Sequence, residues 1–238
     1  MPKLKDFTPR IRVGPGIERH NLTIFPLFAE DSVQPAAYVP MGTALRAGSA
    51  KITEVSEGGS VPTLALENFA DVPVLIIDGE ELLGARQNRI SNLTVLAPGK
   101  MVLPLPVSCV ERGRWSYHSR EFAESPDVMY REGRAKKARS VSLNMARHES
   151  RVSDQVSVWE DIDALSSKLG VKSATSAMQD VSQNQRSSID EYLNDVGVAE
   201  GQIGAVFAIN GSGAGIELFD STNTFRTYLP KILRSYAL

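Results

Sequence analysis

The sequence predicts an α+β fold: a mostly antiparallel sheet or sandwich core in the first half and a C-terminal hairpin, packed with three to four helices. Three observations carry this expectation. Before Trp115 the apolar runs are short, bounded by Gly and Pro, and joined with no long helix between them. That argues for antiparallel pairing, because parallel strands need a crossover of about a dozen residues or more. After Trp115 the apolar spacing becomes helical, and Asn210-Gly211 between two apolar runs signals a closing hairpin.

In chain order, residues 1–20 are basic and rich in Pro and Gly and read as a loose arm. Asn21 to Ala29 reads as a strand, with Pro26 pointing to an edge position or a bulge. Met41 to Gly48 reads as one or two helical turns. Lys51 to Glu57 and Val61 to Phe69 read as strands around Gly58-Gly59. Three further apolar runs follow: Val74 to Ile77, Leu93 to Ala97 and Met101 to Val107. Ser125-Pro126-Asp127 has the composition of a helix start, leading a weakly apolar helix to Arg139. Val141 to Met145 reads as a strand or as that helix continued.

Asp154 to Leu169 places Val158, Ile162, Leu165 and Leu169 on one face, with Ser157…Glu160 at capping-box spacing and Gly170 as a stop. A further helix starts at Thr175 or Ser176 and ends at Gly197. Ile203 to Ile209 and Gly215 to Phe219 form the hairpin. The last helix carries Phe225, Leu229, Leu233 and Tyr236 on one face, with Pro230 kinking or dividing it. The expected organisation is an arm at 1–20 and a single domain at 21–238.

Composition narrows the function classes. Hydrophobic content of 42% and charged content of 23% are ordinary for a globular protein, and a net charge of −2 argues against a surface built for nucleic acid. The charge is uneven. Arg112 to Arg151 holds ten lysines and arginines against five acids, and the remainder holds sixteen against twenty-three. A local cationic face suits a small phosphorylated ligand or an acidic partner; a solvated basic helix is the plainer reading. One cysteine excludes an internal disulfide framework and a thiolate zinc cluster. No run approaches membrane-spanning length and the start lacks a signal-peptide core, so a cytoplasmic location is expected. His20, His118 and His148 are scattered, and Gly211-x-Gly213-x-Gly215 joins two strands, which fails the dinucleotide fingerprint.

The stretch from Asp71 to Trp115 is crowded with polar groups that strands do not need. Asp78, Glu80 and Glu81 follow an apolar run. Neighbouring carboxylates hold metals or split their pKa values for acid–base work, or Asp78-Gly79 is a turn and Glu80 pairs with Arg86 or Arg89. Gln87-Asn88-Arg89 suits a base edge, a ribose or a phosphate, or locks a bulge. Cys109 alternates like a buried, inert thiol rather than a nucleophile based on His118. Glu111 lies at the polar end of the third run. Arg114 beside Trp115 either clamps a phosphate against an aromatic wall or snorkels beside a core tryptophan. Each group lies at the end of an apolar run, so chain reversal brings all three to one sheet edge, in a shared concave site. The expected catalytic acids are Asp78, Glu80 and Glu111. The expected ligand contacts are Arg86, Gln87, Asn88, Arg89, Arg114 and Trp115.

These residues also carry a family resemblance. Asp78-Gly79-Glu80-Glu81-Leu82, Gly84-Ala85-Arg86-Gln87-Asn88-Arg89, Pro106 to Glu111, and Gly113-Arg114-Trp115 resemble the ARPP-1 domain family. Ser153-Asp154-Gln155, Ser173-x-Thr175, Gln202-x-Gly204 and Leu233-x-Ser235-Tyr236-Ala237 agree with it. Arg86 stands where the family has lysine, so the charge is kept. The family's name records association with ADP-ribosylglycohydrolase and phosphatase-like domains. The resemblance therefore implies a ligand related to ADP-ribose, NAD or another phosphorylated ribose; the cofactor is left open, a divalent cation such as magnesium being one candidate. A non-catalytic interaction or scaffold domain is the competing expectation.

Overall fold

The computed structural model describes residues 10–29 and 37–238, with fourteen strands and six helices among them. The fold is α+β, as the patterning predicts. The chain divides into one unit of residues 1–36 with 188–237 and another of 37–187 with Leu238.

In the first unit β1 (Ile11–Val13) and β2 (Ile17–Arg19) both pair with β3 (Leu22–Ala29), so part of the expected arm is sheet; residues 1–9 lie outside the described residues. On its other side β3 pairs with β13 (Gln202–Ile209), which pairs with β14 (Ser212–Leu218). Pro26 is therefore not at an edge. Its carbonyl accepts from the Gly14 amide at 2.8 Å, so its missing N–H faces the break between β1 and β2, where no ladder donor is needed. The hairpin turn is Asn210-Gly211, with φ of 51° and 76°, the two positive values a type I′ turn requires. Helix α6 (Thr222–Ala237) runs through Pro230 and lays Phe225, Leu229 and Leu233 into this unit's core. Tyr236 stacks on Phe207 at 4.1 Å between ring centroids. Each such burial stabilises by roughly 1.5–3 kcal/mol.

In the second unit a six-stranded sheet has the order β12-β8-β9-β11-β6-β5. Its strands are β5 (Ala50–Glu54), β6 (Thr63–Asn68), β8 (Glu80–Gly84), β9 (Arg89–Ser91), β11 (Met101–Cys109) and β12 (Phe122–Val128). A three-stranded sheet joins β10 (Val95–Ala97), β7 (Val74–Ile76) and β4 (Val39–Pro40). The β4–β7 pair is parallel, the exception to the antiparallel expectation. The chain between them is long enough to return in the same direction, through helix α1 (Met41–Arg46), β5 and β6. One core packs Met41, Ile52, Leu64, Leu66, Ile76, Leu82, Leu105 and Val107. A second packs Ile90 and Val110 against Val158, Ile162, Met178 and Val181.

Three expectations are corrected here. Ser125-Pro126-Asp127 starts no helix: it lies in β12, whose register with β8 shifts between Glu124 and Val128. The bulge accommodates a proline that a regular ladder would reject. Helix α2 instead spans Arg131–His148 and includes Val141 to Met145, ending at Glu149 with φ 53°. Helix α3 (Gln155–Lys168) is capped by Asp154, whose carboxylate accepts from the Val156 and Ser157 amides, rather than at Ser157. The segment after Ser176 is two short helices, α4 (Met178–Asn184) and α5 (Arg186–Leu193), separated at Gln185 with φ −90° and ψ 7°.

Candidate ligand site

The site is built on the hairpin β8–β9. Gly84 at φ 122° and Ala85 at φ 42° turn the chain out of β8, and Arg86, Gln87 and Asn88 return it into β9. Arg89 pairs with Leu82 on β8 and with Cys109 on β11, so it occupies a central strand. It has 0% exposure and is the largest fully buried side chain described. Its Nη1 donates to Gln87 Oε1 at 3.1 Å and to the Asn88 carbonyl at 3.4 Å. Among the described residues its Nε and Nη2 have no hydrogen-bond partner. Burial lowers the Arg89 pKa, opposed by the negative charge of neighbours that include Glu54.

Around Arg89 runs a polar network. Glu111 Oε1 accepts from Arg114 Nε at 2.8 Å and Thr175 Oγ1 at 3.0 Å. Its Oε2 accepts from Arg114 Nη2 at 2.6 Å and the Asn88 amide at 3.0 Å. Burial alone would raise the Glu111 pKa; these hydrogen bonds and the Arg114 charge hold it below the ordinary carboxylate range. Arg114 also donates to the carbonyls of Gly84, Ala85 and Ser116 and to Asn88 Oδ1. Its five N–H donors are spent inside the protein. Asn88 further accepts from the Gly84 amide and donates to Gln179 Oε1, and Gln87 donates to the Glu111 carbonyl at 2.9 Å. Cys109 gives its thiol proton to Gln87 Oε1 at 3.2 Å, and burial pushes its pKa up, as an inert thiol requires.

Outside this network lies an aromatic and cationic wall. Trp115 is 46% exposed, which removes the core-tryptophan reading. The Arg86 guanidinium lies 5.5 Å from the Trp115 ring centroid and 4.4 Å from that of Tyr117, and Arg89 lies 5.9 Å from Trp115. A cleft of about 810 Å³ opens beside Arg86, lined by Glu54, Arg86, Tyr117 and Arg120 among others but not by Arg89 or Trp115. Arg86 Nη2 donates to the Glu57 carbonyl, whereas its buried Nε has no hydrogen-bond partner among the described residues.

The hairpin thus joins Arg86 to Arg89 with Glu111, Arg114 and Trp115. The two other expected acids have partners elsewhere. Asp78 pairs with Lys137 of α2 and with Arg134 at 3.8 Å, and Lys137 Nζ also donates to the Ser91 carbonyl at 2.7 Å. Glu80 accepts from the Ile77 amide at 3.1 Å and Glu81 from Ser125 Oγ at 2.6 Å. Among the described residues no three His, Cys, Asp or Glu side chains gather into a group that could hold a metal.

Glu54, Tyr117 and Arg120 were not among the expected site residues. A signal for Glu54 exists. Alternation along β5 puts Ala50, Ile52 and Glu54 on one face, and Ala50 and Ile52 are core. An acid on the apolar face of a strand is out of pattern.

A β-hairpin bearing a buried, half-satisfied arginine beside an aromatic, cationic cleft defines an α+β domain with a polar site on its sheet. Sequence comparison then names the family. The chain belongs to the ARG and rhodanese-phosphatase-superfamily-associated protein domain family, ARPP-1, whose profile matches residues 10–238. No curated protein and no solved structure matches the chain. Among the described residues no helix is long and apolar enough to cross a membrane.

Proposed function

We propose that this ARPP-1 domain binds a phosphorylated ribose ligand, of the ADP-ribose or NAD kind, in the cleft beside the β8–β9 hairpin. The observation that carries the reading is Arg89, a fully buried guanidinium with Nε and Nη2 unpartnered behind Trp115. Buried polar groups are almost always satisfied, and leaving a charged one short is costly, so the gap is where an anionic partner gains most. Arg86 and Arg120 line the cleft and serve the phosphate, and the buried Arg89 adds its charge. Trp115 and Tyr117 offer faces for a ribose or base to stack against. Gln87, Asn88, Glu111 and Arg114 hold the floor, while Asp78 and Glu80 brace the fold.

The experiment is a thermal-shift series with ADP-ribose, NAD and nucleotides, with and without magnesium. A ligand at a hundred times its Kd adds about 2.7 kcal/mol of stability. Arg89→Met should abolish the shift. An unchanged melting temperature with every compound would sink the reading and leave the scaffold alternative. One observation favours that alternative: Arg114 spends all its donors on protein acceptors, as a structural bolt does.

A further inference from the structure

The cleft wall also carries an acid. Glu54 ends β5 with both carboxylate oxygens buried and, among the described residues, neither hydrogen-bonded. A glycine neighbour locates it. A Cβ built on Gly59 would lie 3.4 Å from Glu54 Oε2 and 3.4 Å from Arg86 Nε. Both atoms therefore lie against Gly59, and among the described residues neither has a hydrogen-bond partner. Arg89 feels the Glu54 charge as well. An acceptor without a donor thus sits beside a donor without an acceptor, on the wall of the same cleft.

Simple anions do not suit that arrangement, because a carboxylate repels them. Metal ions do not suit it either, since the nearest groups are guanidiniums. A hydroxyl suits it, because it donates to Glu54 and accepts from Arg86 Nε at once. Two neighbouring hydroxyls suit it better, one to each carboxylate oxygen. We propose that Glu54 is the hydroxyl-binding residue of this site, selecting ligands that carry a vicinal diol next to their anionic group. This rests on the phosphorylated-ribose reading above and assigns the ribose end of it. The Arg86 guanidinium is held by the Glu57 carbonyl and the Tyr117 face, which keeps its Nε on the Gly59 side with Glu54. Arg120 and Arg86 then face the phosphate, and Tyr117 faces the sugar ring.

The test is calorimetric titration of wild type, Glu54→Gln and Glu54→Asp with two probes, ribose 5-phosphate and inorganic phosphate. Wild type should bind the sugar phosphate more tightly. Glu54→Gln should lose about tenfold or more of affinity for ribose 5-phosphate, the size of a hydrogen bond to a charged group. Its affinity for inorganic phosphate should hold or rise, because a repelling charge has gone. Glu54→Asp keeps the charge, and so the fold, while withdrawing the carboxylate by one methylene; it should fall between the two. Wild type that binds both probes equally, or a Glu54→Gln protein that keeps its preference for the sugar, overturns the diol assignment and leaves the phosphate cleft standing. Wild type that takes neither probe, together with no thermal shift from ADP-ribose or NAD, overturns the ligand reading and this assignment with it.

Discussion

Arg114 grips Glu111 with two parallel hydrogen bonds, Nε to Oε1 at 2.8 Å and Nη2 to Oε2 at 2.6 Å, three residues apart in sequence. The same guanidinium closes on the carbonyls of Gly84 and Ala85 at the end of β8. One side chain thus ties the end of β11 to the hairpin that holds Arg89.

Removing one partner of that pair strands the other. Arg114→Ala should cost about 3–5 kcal/mol, the usual penalty for breaking a buried ion pair, measured by urea unfolding. Arg114→Lys should recover little of it, because an ammonium cannot form the two-pronged contact. A loss below about 1 kcal/mol for Arg114→Ala would refute the bolt.

The pH dependence follows from the same pair. Glu111 has its folded pKa depressed below the unfolded value, near 4.3 for a glutamate. Its contribution is therefore fully present above that unfolded value and is lost as pH falls through the folded pKa. Denaturant stability of wild type should drop between about pH 5 and 3 more steeply than that of Glu111→Gln. Parallel curves would contradict the assignment.

Cys109 is fully buried, with burial pushing its pKa up. The folded protein should leave a thiol reagent unconsumed at pH 8 and react with one equivalent after unfolding. Cys109→Ser should lose only about 1–2 kcal/mol and keep ligand shifts intact. Abolished binding in a folded Cys109→Ser protein would give the thiol a working role.

Lys137 is the one cation carried by α2 into full burial, and it joins Asp78 to the Ser91 carbonyl. Lys137→Ala leaves a cavity and a weakened partner for Asp78, so it should cost about 3–5 kcal/mol. Lys137→Met fills the space but also leaves Asp78 without the ammonium, so it should recover only the packing part of that loss. Equal losses would show that the charge, rather than the packing, dominates.

What was legible in the sequence followed the apolar periodicity. β3, β5, β6, β11, α3 and the β13–β14 hairpin announce themselves because their buried residues fall on the right face. β8 and β9 did not, since Glu80, Glu81, Arg89 and Ser91 are polar yet almost entirely buried. A tertiary partner such as Ser125, which donates to Glu81 from 44 residues on, makes that possible, and no local pattern reveals it. Ser125-Pro126-Asp127 misled for the opposite reason. Its local chemistry favours a helix start, and pairing with β8 overrides it. In the candidate site, Arg86 to Arg89 and Glu111 to Trp115 come together as chain reversal predicts. Asp78 does not join them, because Lys137 reaches back from a helix some sixty residues on.

β11 pairs with β6 through Pro106 and with β9 from Val107 onward; its own Leu105 and Val107 lie in one core, and Ile90 of its partner β9 lies in the other. Such a strand has no partner it can leave alone. Unzipping it from β6 opens the Leu64–Leu105 core, and unzipping it from β9 opens the one around Ile90. The amides near its middle should therefore exchange with deuterium only when the whole of residues 37–187 opens, as the slowest set in that unit. Loss of either core would then be felt at the Arg89 hairpin within the same opening event.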